Sequence, residues 1–208
     1  MINLTKGGRI NLSKESNGLT KLFFGSNWGM IEKKGLFGIG GYKEAVDLDS
    51  SALLFNADKN SIGEVSFRHL NALGIHHSGD DRVGDAEGDD GLDNETISVE
   101  LDKIHSDIEY IVFVLNNFTH QKFNKIPYMG MRIYTGNSVQ TNTSIPVNIL
   151  AEYKLTDKSE FTDKEAVILG IAYKKDGDWR FKAVGEFGGW YSIDELKEVS
   201  QNYLKSNF

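Results

Sequence analysis

Between Gly79 and Glu95 the chain reads GDDRVGDAEGDDGLDNE, in which Asp80, Asp81, Asp85, Glu87, Asp89, Asp90, Asp93 and Glu95 face a single base, Arg82. Eight of the 30 acids and one of the 23 bases lie here, so this stretch alone carries the net charge of −7 and the rest of the chain is formally neutral. Carboxylates at this density repel one another, and inside a domain they must be solvated, disordered or neutralised by cations. Gly79, Gly84, Gly88 and Gly91 suit a loop that folds back so that its oxygens converge. The segment offers only oxygen ligands, and the hard cation that accepts many oxygens in loose geometry is calcium. A solvated loop without metal is the alternative, and the apolar runs on either side weigh against it.

A chain of 208 residues, 39% hydrophobic, can bury a good core as one large domain. Cysteine is absent, which excludes disulfides, thiolate metal sites and a cysteine nucleophile. The start, MINLTKGGRINL, has no apolar run of signal-peptide length, and no stretch approaches the roughly 20 apolar residues that span a bilayer. The expectation is a cytoplasmic protein with no membrane insertion. A pI near 5.3 without a basic stripe argues against nucleic acid as a partner.

Along the chain, short runs such as Ile10 to Leu12 and Leu19 to Phe24 read as strands, followed by an irregular or hairpin segment to Tyr42 with Trp28 as a core plug. Ala45 to Asn56 reads as a strand whose period-two alternation puts Asp47 and Asp49 on one face, about 7 Å apart. That spacing suits a shared or neighbouring cation, or else a pair of solvent-facing acids on an edge. Val65 to Leu70 and Thr96 to Leu101 are further strand candidates, and Tyr110 to Leu115 is the continuous apolar run of a central strand. The adjacent His76 and His77 would face opposite sides of a strand, so they do not make a zinc site. Met131 to Tyr134, Ile145 to Leu150, and Val167 to Tyr173 with Trp179 to Val184 continue the pattern. Asp176-Gly177 between the last two signals a hairpin. Ser192 with Glu195 forms a capping box, and Ile193, Leu196, Val199, Tyr203 and Leu204 make an apolar stripe. The stripe reads as core cover or a subunit contact rather than a membrane helix. The fold class is therefore all-β, an antiparallel β-sandwich over residues 1–191 with a C-terminal α-helix over 192–208.

The pieces Leu19-Thr20-Lys21, Asp47-Leu48-Asp49-Ser50-Ser51-Ala52, His77-Ser78-Gly79-Asp80-Asp81, Gly84-Asp85-Ala86-Glu87-Gly88-Asp89-Asp90, Ile111 to Val114 and Trp179 to Gly185, in this order, resemble the TerD family of tellurite-resistance and general stress proteins. The resemblance runs from the N-terminus to about Gly189. It implies a cytoplasmic, non-enzymatic calcium-binding sandwich, working beside other stress and tellurite-resistance proteins and a membrane-associated complex. It carries the metal-ligand positions over to Asp47, Asp49, Asp80, Asp81, Asp85, Glu87, Asp89, Asp90 and Glu95, with two or more calcium ions. This chain departs from the family pattern in having Asp81 where asparagine is usual, Gly91 to Asn94 inserted before Glu95, Gly29 after Trp28, and a different C-terminal ending.

An EF-hand starting at Asp85 fails, because position six is Asp90 where glycine is needed and position twelve is Thr96 where glutamate is needed. A hydrolase could use paired carboxylates or two metals, but these acids crowd on one glycine-rich loop instead of lining a cleft. A calcium-dependent carbohydrate-binding sandwich, with Trp28, Trp190 and Tyr191 as exposed aromatics, is the main alternative.

Overall fold

The structure, a computed structural model, describes residues 1–35, 40–140, 143–155 and 160–208, without the side chains of 137–140 and 143–145. The described strands are β1 (Ile2–Leu4), β2 (Arg9–Asn11), β3 (Lys21–Trp28), β4 (Ile31–Lys34), β5 (Gly41–Glu44), β6 (Leu48–Phe55), β7 (Ser61–Val65) and β8 (Asn71–Ala72). They continue as β9 (Ile75–His77), β10 (Glu95–Glu100), β11 (Tyr110–Asn117), β12 (Met129–Gln140), β13 (Thr143–Lys154), β14 (Ala166–Lys175) and β15 (Asp178–Gly188). A helical turn, α1 (Leu12–Glu15), follows β2, and the helix α2 (Ile193–Asn207) ends the chain.

Two sheets face each other. One has the order β1-β13-β12-β3-β10-β9-β8, the other β2-β15-β14-β11-β6-β7, and β4 pairs with β5 in a separate ribbon. All pairings are antiparallel except β1 with β13. Alternation explains the core. From β6 and β11, Leu48, Ala52, Leu54, Ile111, Phe113 and Leu115 point between the sheets. Leu53, Phe55, Val112 and Val114 point outward and are buried under Leu196 and Leu204 of α2. The run Tyr110 to Leu115 is continuously apolar because both of its faces are covered, and each such large side chain contributes roughly 1.5–3 kcal/mol.

The helix forms where its sequence signals place it. Ser192 Oγ accepts from the Glu195 amide and the Glu195 carboxylate accepts from the Ser192 amide, the full capping box. The Asp176-Gly177 hairpin also forms, with both residues at positive φ (56° and 81°) as a two-residue primed turn requires.

Two sequence expectations are corrected and one open alternative is decided. Leu12 opens a helical turn rather than extending a strand, because Asn11 caps it by accepting from the Lys14 amide. Ser66 to Leu70 is a turn beyond β7, closed by reciprocal backbone bonds between Ser66 and His69. The segment read as irregular or a hairpin forms the antiparallel β4–β5 ribbon, with Lys33 opposite Tyr42, while residues 36–39 lie outside the described residues.

Candidate metal centre

The acidic segment is the long connection between the neighbouring antiparallel strands β9 and β10. It is held to the sandwich by backbone bonds. The Asp85 amide donates to Trp28 O (3.0 Å), the Met30 amide to Asp85 O (3.0 Å), the Val46 amide to Val83 O (2.9 Å) and the Asn94 amide to Ser26 O (2.9 Å). Trp28 is fully buried and donates its indole N–H to Val46 O at 2.8 Å, so it is the core plug and is lost to any sugar platform. Gly84 sits against it at φ +79°, where an added Cβ would come within 2.7 Å of the Trp28 ring.

These anchors bring the loop to the head of β6. Asp47 and Asp49, both buried, converge with the exposed Asp80 so that one oxygen from each lies within 4.8 Å of the others. Asp47 Oδ1 is buried and has no hydrogen-bond partner. Arg82 comes only to 3.9 Å from Asp47 Oδ2 and is itself mostly exposed. Among the described residues, Asp49 has one long contact, 3.5 Å from Asn116 Nδ2. Burial, together with the charges of Glu95, Asp47 and Asp80, pushes the Asp49 carboxyl up to about 7, and burial with Asp80 close by raises Asp47 as well.

In a second cluster, one oxygen from each of Asp85, Asp89 and Asp90 again lies within 4.8 Å of the others, but these acids already have partners. Tyr128 Oη donates to Asp85 Oδ2 at 2.6 Å and Asn94 Nδ2 to Asp85 Oδ1 at 3.1 Å. Both oxygens of Asp89 accept from the guanidinium of Arg132 on β12. Burial raises Asp85 against those hydrogen bonds; for Asp89 burial is outweighed by Arg132 and the Gly91 amide, which hold it below the ordinary value.

The remaining acids have other duties. Asp81 Oδ1 accepts from the Val83 and Gly84 amides and closes a turn, while its Oδ2 accepts from Asn94. Glu87 is exposed and pairs with Lys43 at 2.9 Å. Glu95 is fully buried; Oε2 accepts from the Ser50 amide and hydroxyl, both at 2.7 Å, and Oε1 from the Asp81 amide at 3.3 Å. Thus Asp81, Glu87 and Glu95 stand in neither three-carboxylate cluster. Beside Glu95, the buried His77 accepts at Nδ1 from the Gly79 amide (3.0 Å), which assigns the proton to Nε2, 3.1 Å from Ser50 O. Serine, histidine and glutamate meet here, but the serine hydroxyl is buried and bonded to the glutamate, so the group braces the loop.

Two residues outside the predicted ligand set, Arg132 and Asp93, complete the site. Arg132 lies almost fully buried among Asp89, Asp93 (3.0 Å), Glu152 (3.6 Å) and Leu92 O (2.9 Å). Asp93 packs on the bare backbone of Gly25, where an added Cβ would fall 1.9 Å from its Oδ2. Burial pushes Asp93 up to about 6, opposed by Arg132 and Tyr134. The signals were present: a lone arginine between Met131 and Ile133, and a glycine inside the apolar strand LFFGSNW.

The TerD domain matches residues 1–203. Tellurium resistance protein TerZ of Serratia marcescens is 32% identical over 199 residues, covering 94% of this chain and 95% of that protein. Stress response protein SCP2 of Bacillus subtilis (strain 168) is 30% identical over 198 residues, covering 89% and 92%. Among solved structures, a homologue of telluride resistance protein (TerD) from Streptomyces coelicolor A3(2) superposes with a TM-score of 0.58 at 18% identity, over 86% of this chain and 95% of that one. A protein of unknown function gives 0.60 at 20% identity, over 88% and 98%.

Proposed function

The chain belongs to the TerD family, and on that premise we propose that it is a calcium-binding stress-response protein of the tellurite-resistance type. It works in the cytoplasm by binding rather than by catalysis, through protein partners that include other resistance proteins in a membrane-associated complex. No described helix is long and apolar enough to cross a membrane, so contact with such a complex is peripheral in this reading.

The observation that carries the calcium reading is the buried, unpartnered Asp47 Oδ1 in a cluster whose other members, Asp49 and Asp80, also lack a close cationic partner among the described residues. A buried carboxylate left without partner is unfavourable by several kcal/mol unless something positive neutralises it. The donors are all oxygens, and they come from a strand end and a glycine-rich loop, which suits the loose shell of calcium better than the strict octahedron of magnesium. Asp47, Asp49 and Asp80 would hold one ion, and Asp85, Asp89 and Asp90, whose charge Arg132 already meets in part, would hold a second less tightly. The bound ions supply charge neutralisation that pins the loop to β6.

Calorimetric titration with calcium and magnesium tests this directly. Calcium is expected to bind below millimolar concentration and more tightly than magnesium. Equal affinities, or none in that range, would remove the reading.

A further inference from the structure

We infer that an ion held by Asp47, Asp49 and Asp80 is completed by the phosphate group of an organic ligand, which enters the adjoining groove and pairs with Arg68. The inference rests on the calcium reading above and names what that site takes.

The groove, about 460 Å³, opens on the outer face of the second sheet between the turn after β7 and the start of α2, and Asp49 forms part of its wall. Its sides are tied together: Lys197 of α2 pairs with Glu64 of β7 at 2.8 Å, and Glu64 in turn receives His69 at 3.0 Å. Asp49 therefore faces both the acidic loop and an open, ligand-sized space.

Three carboxylates supply three to six oxygens, whereas calcium takes about six to eight, so positions on the ion remain for an outside oxygen. Arg68, on the wall of the same groove as Asp49, gives the ligand a cationic partner. Arg68 is exposed, makes no ion pair among the described residues, and is near enough to Asp49 for its charge to favour the ionised carboxylate. Its planar fork matches two phosphate oxygens, leaving a third for the ion. Ser66 and Asn116 add polar groups to the same wall.

The apolar side of the ligand follows from Phe118 and Tyr191, which line the groove while remaining 57% and 48% exposed. Phe118 is fixed to the site, since its amide donates to Asp47 O at 3.0 Å. Two large rings left open beside an anion subsite fit a phosphate that carries an apolar group better than inorganic phosphate.

The test is calorimetry on the full chain, with calcium titrated first and phenyl phosphate then titrated into calcium-loaded and chelated protein. Phenyl phosphate is expected to bind the loaded form at least tenfold more tightly than the chelated form. Arg68→Ala, at an exposed position, should lose at least tenfold of that affinity with less than a threefold change for calcium, and Arg68→Lys should recover part of it. Phe118→Ser should weaken phenyl phosphate more than inorganic phosphate. Sedimentation with phosphatidylcholine vesicles, with and without phosphatidylserine, separates the sources: calcium- and Arg68-dependent capture only on the anionic vesicles makes a lipid headgroup the ligand. If calcium binds but neither phenyl phosphate nor anionic vesicles bind more tightly with it, or if Arg68→Ala binds as wild type does, the inference is wrong and the calcium reading stands. If calcium itself does not bind, both fall.

Discussion

The two acidic clusters have the same composition, three carboxylates each, and opposite electrostatic histories. Asp85 and Asp89 are met by Arg132, Tyr128 and Asn94, and Asp90 by the Leu92 amide, whereas Asp47, Asp49 and Asp80 meet one distant arginine and a long amide contact. The cluster beside Arg132 is largely neutralised as it stands; the cluster of Asp47, Asp49 and Asp80 requires a cation that the described residues do not provide. Counting carboxylates would rank the clusters equal, but burial and counter-charge separate them.

The most disruptive way to break the contrast is to remove the internal cation. Arg132→Ala leaves Asp93 buried without its partner, and deleting one member of a buried pair typically costs about 3–5 kcal/mol. Protonation of Asp93, already pushed up to about 6, relieves part of this, so a loss near 3 kcal/mol in chelator is expected from denaturant unfolding. A loss under 1 kcal/mol would mean that Arg132 is not what neutralises the second cluster.

Supplying the missing cation should act in the other direction. Calcium at a hundredfold excess over Kd adds roughly 2.7 kcal/mol to the native state. Thermal melts with and without chelator check it, and coincident curves would place no ion in either cluster. Asp49→Asn, nearly isosteric, should weaken calcium binding more than tenfold, about 1.4 kcal/mol, with the fold retained at saturating metal. Unchanged affinity would assign binding to the loop alone.

The convergence of Asp47 and Asp49 with the loop was legible from the sequence, since two acids with no basic run nearby needed a counter-charge from elsewhere. So were the helix cap at Ser192 and the turn at Asp176. Arg132 was not, because it lies about forty residues beyond the loop and only strand pairing, Arg132 opposite Gly25 and Gly25 opposite Thr96, brings it beneath Asp93. The acids of the loop also looked alike in sequence. Their division into ligand candidates, turn closers such as Asp81, and buried braces such as Asp93 and Glu95 depends on which backbone amides and cations they meet after folding.

Acid should separate the clusters in chelated protein. Asp49, raised to about 7, holds its proton more tightly when folded, so its contribution favours the folded state on the acid side and is lost as pH rises through 7. Asp89, held below the ordinary value chiefly by Arg132 once burial is overcome, contributes stability above the usual carboxylate range and loses it as pH falls through its folded value. Carboxyl-carbon NMR titration should give Asp49 a midpoint near 7 and Asp89 one below its unfolded value. Ordinary midpoints for both would erase the distinction.

The smallest effect belongs to Glu87, which stands in the acidic run yet projects into solvent beside Lys43. A carboxylate with 91% of its side chain exposed is screened by water and salt, and its field at either cluster is correspondingly weak. If burial and counter-charge rather than position in the run decide which acids hold an ion, Glu87→Gln should change calcium affinity less than threefold, whereas Asp49→Asn changes it more than tenfold. Calorimetry on the two variants side by side measures the ratio. A tenfold loss in Glu87→Gln would show that the loop closes over the ion and recruits an acid now in solvent, making the second cluster as dependent on metal as the first.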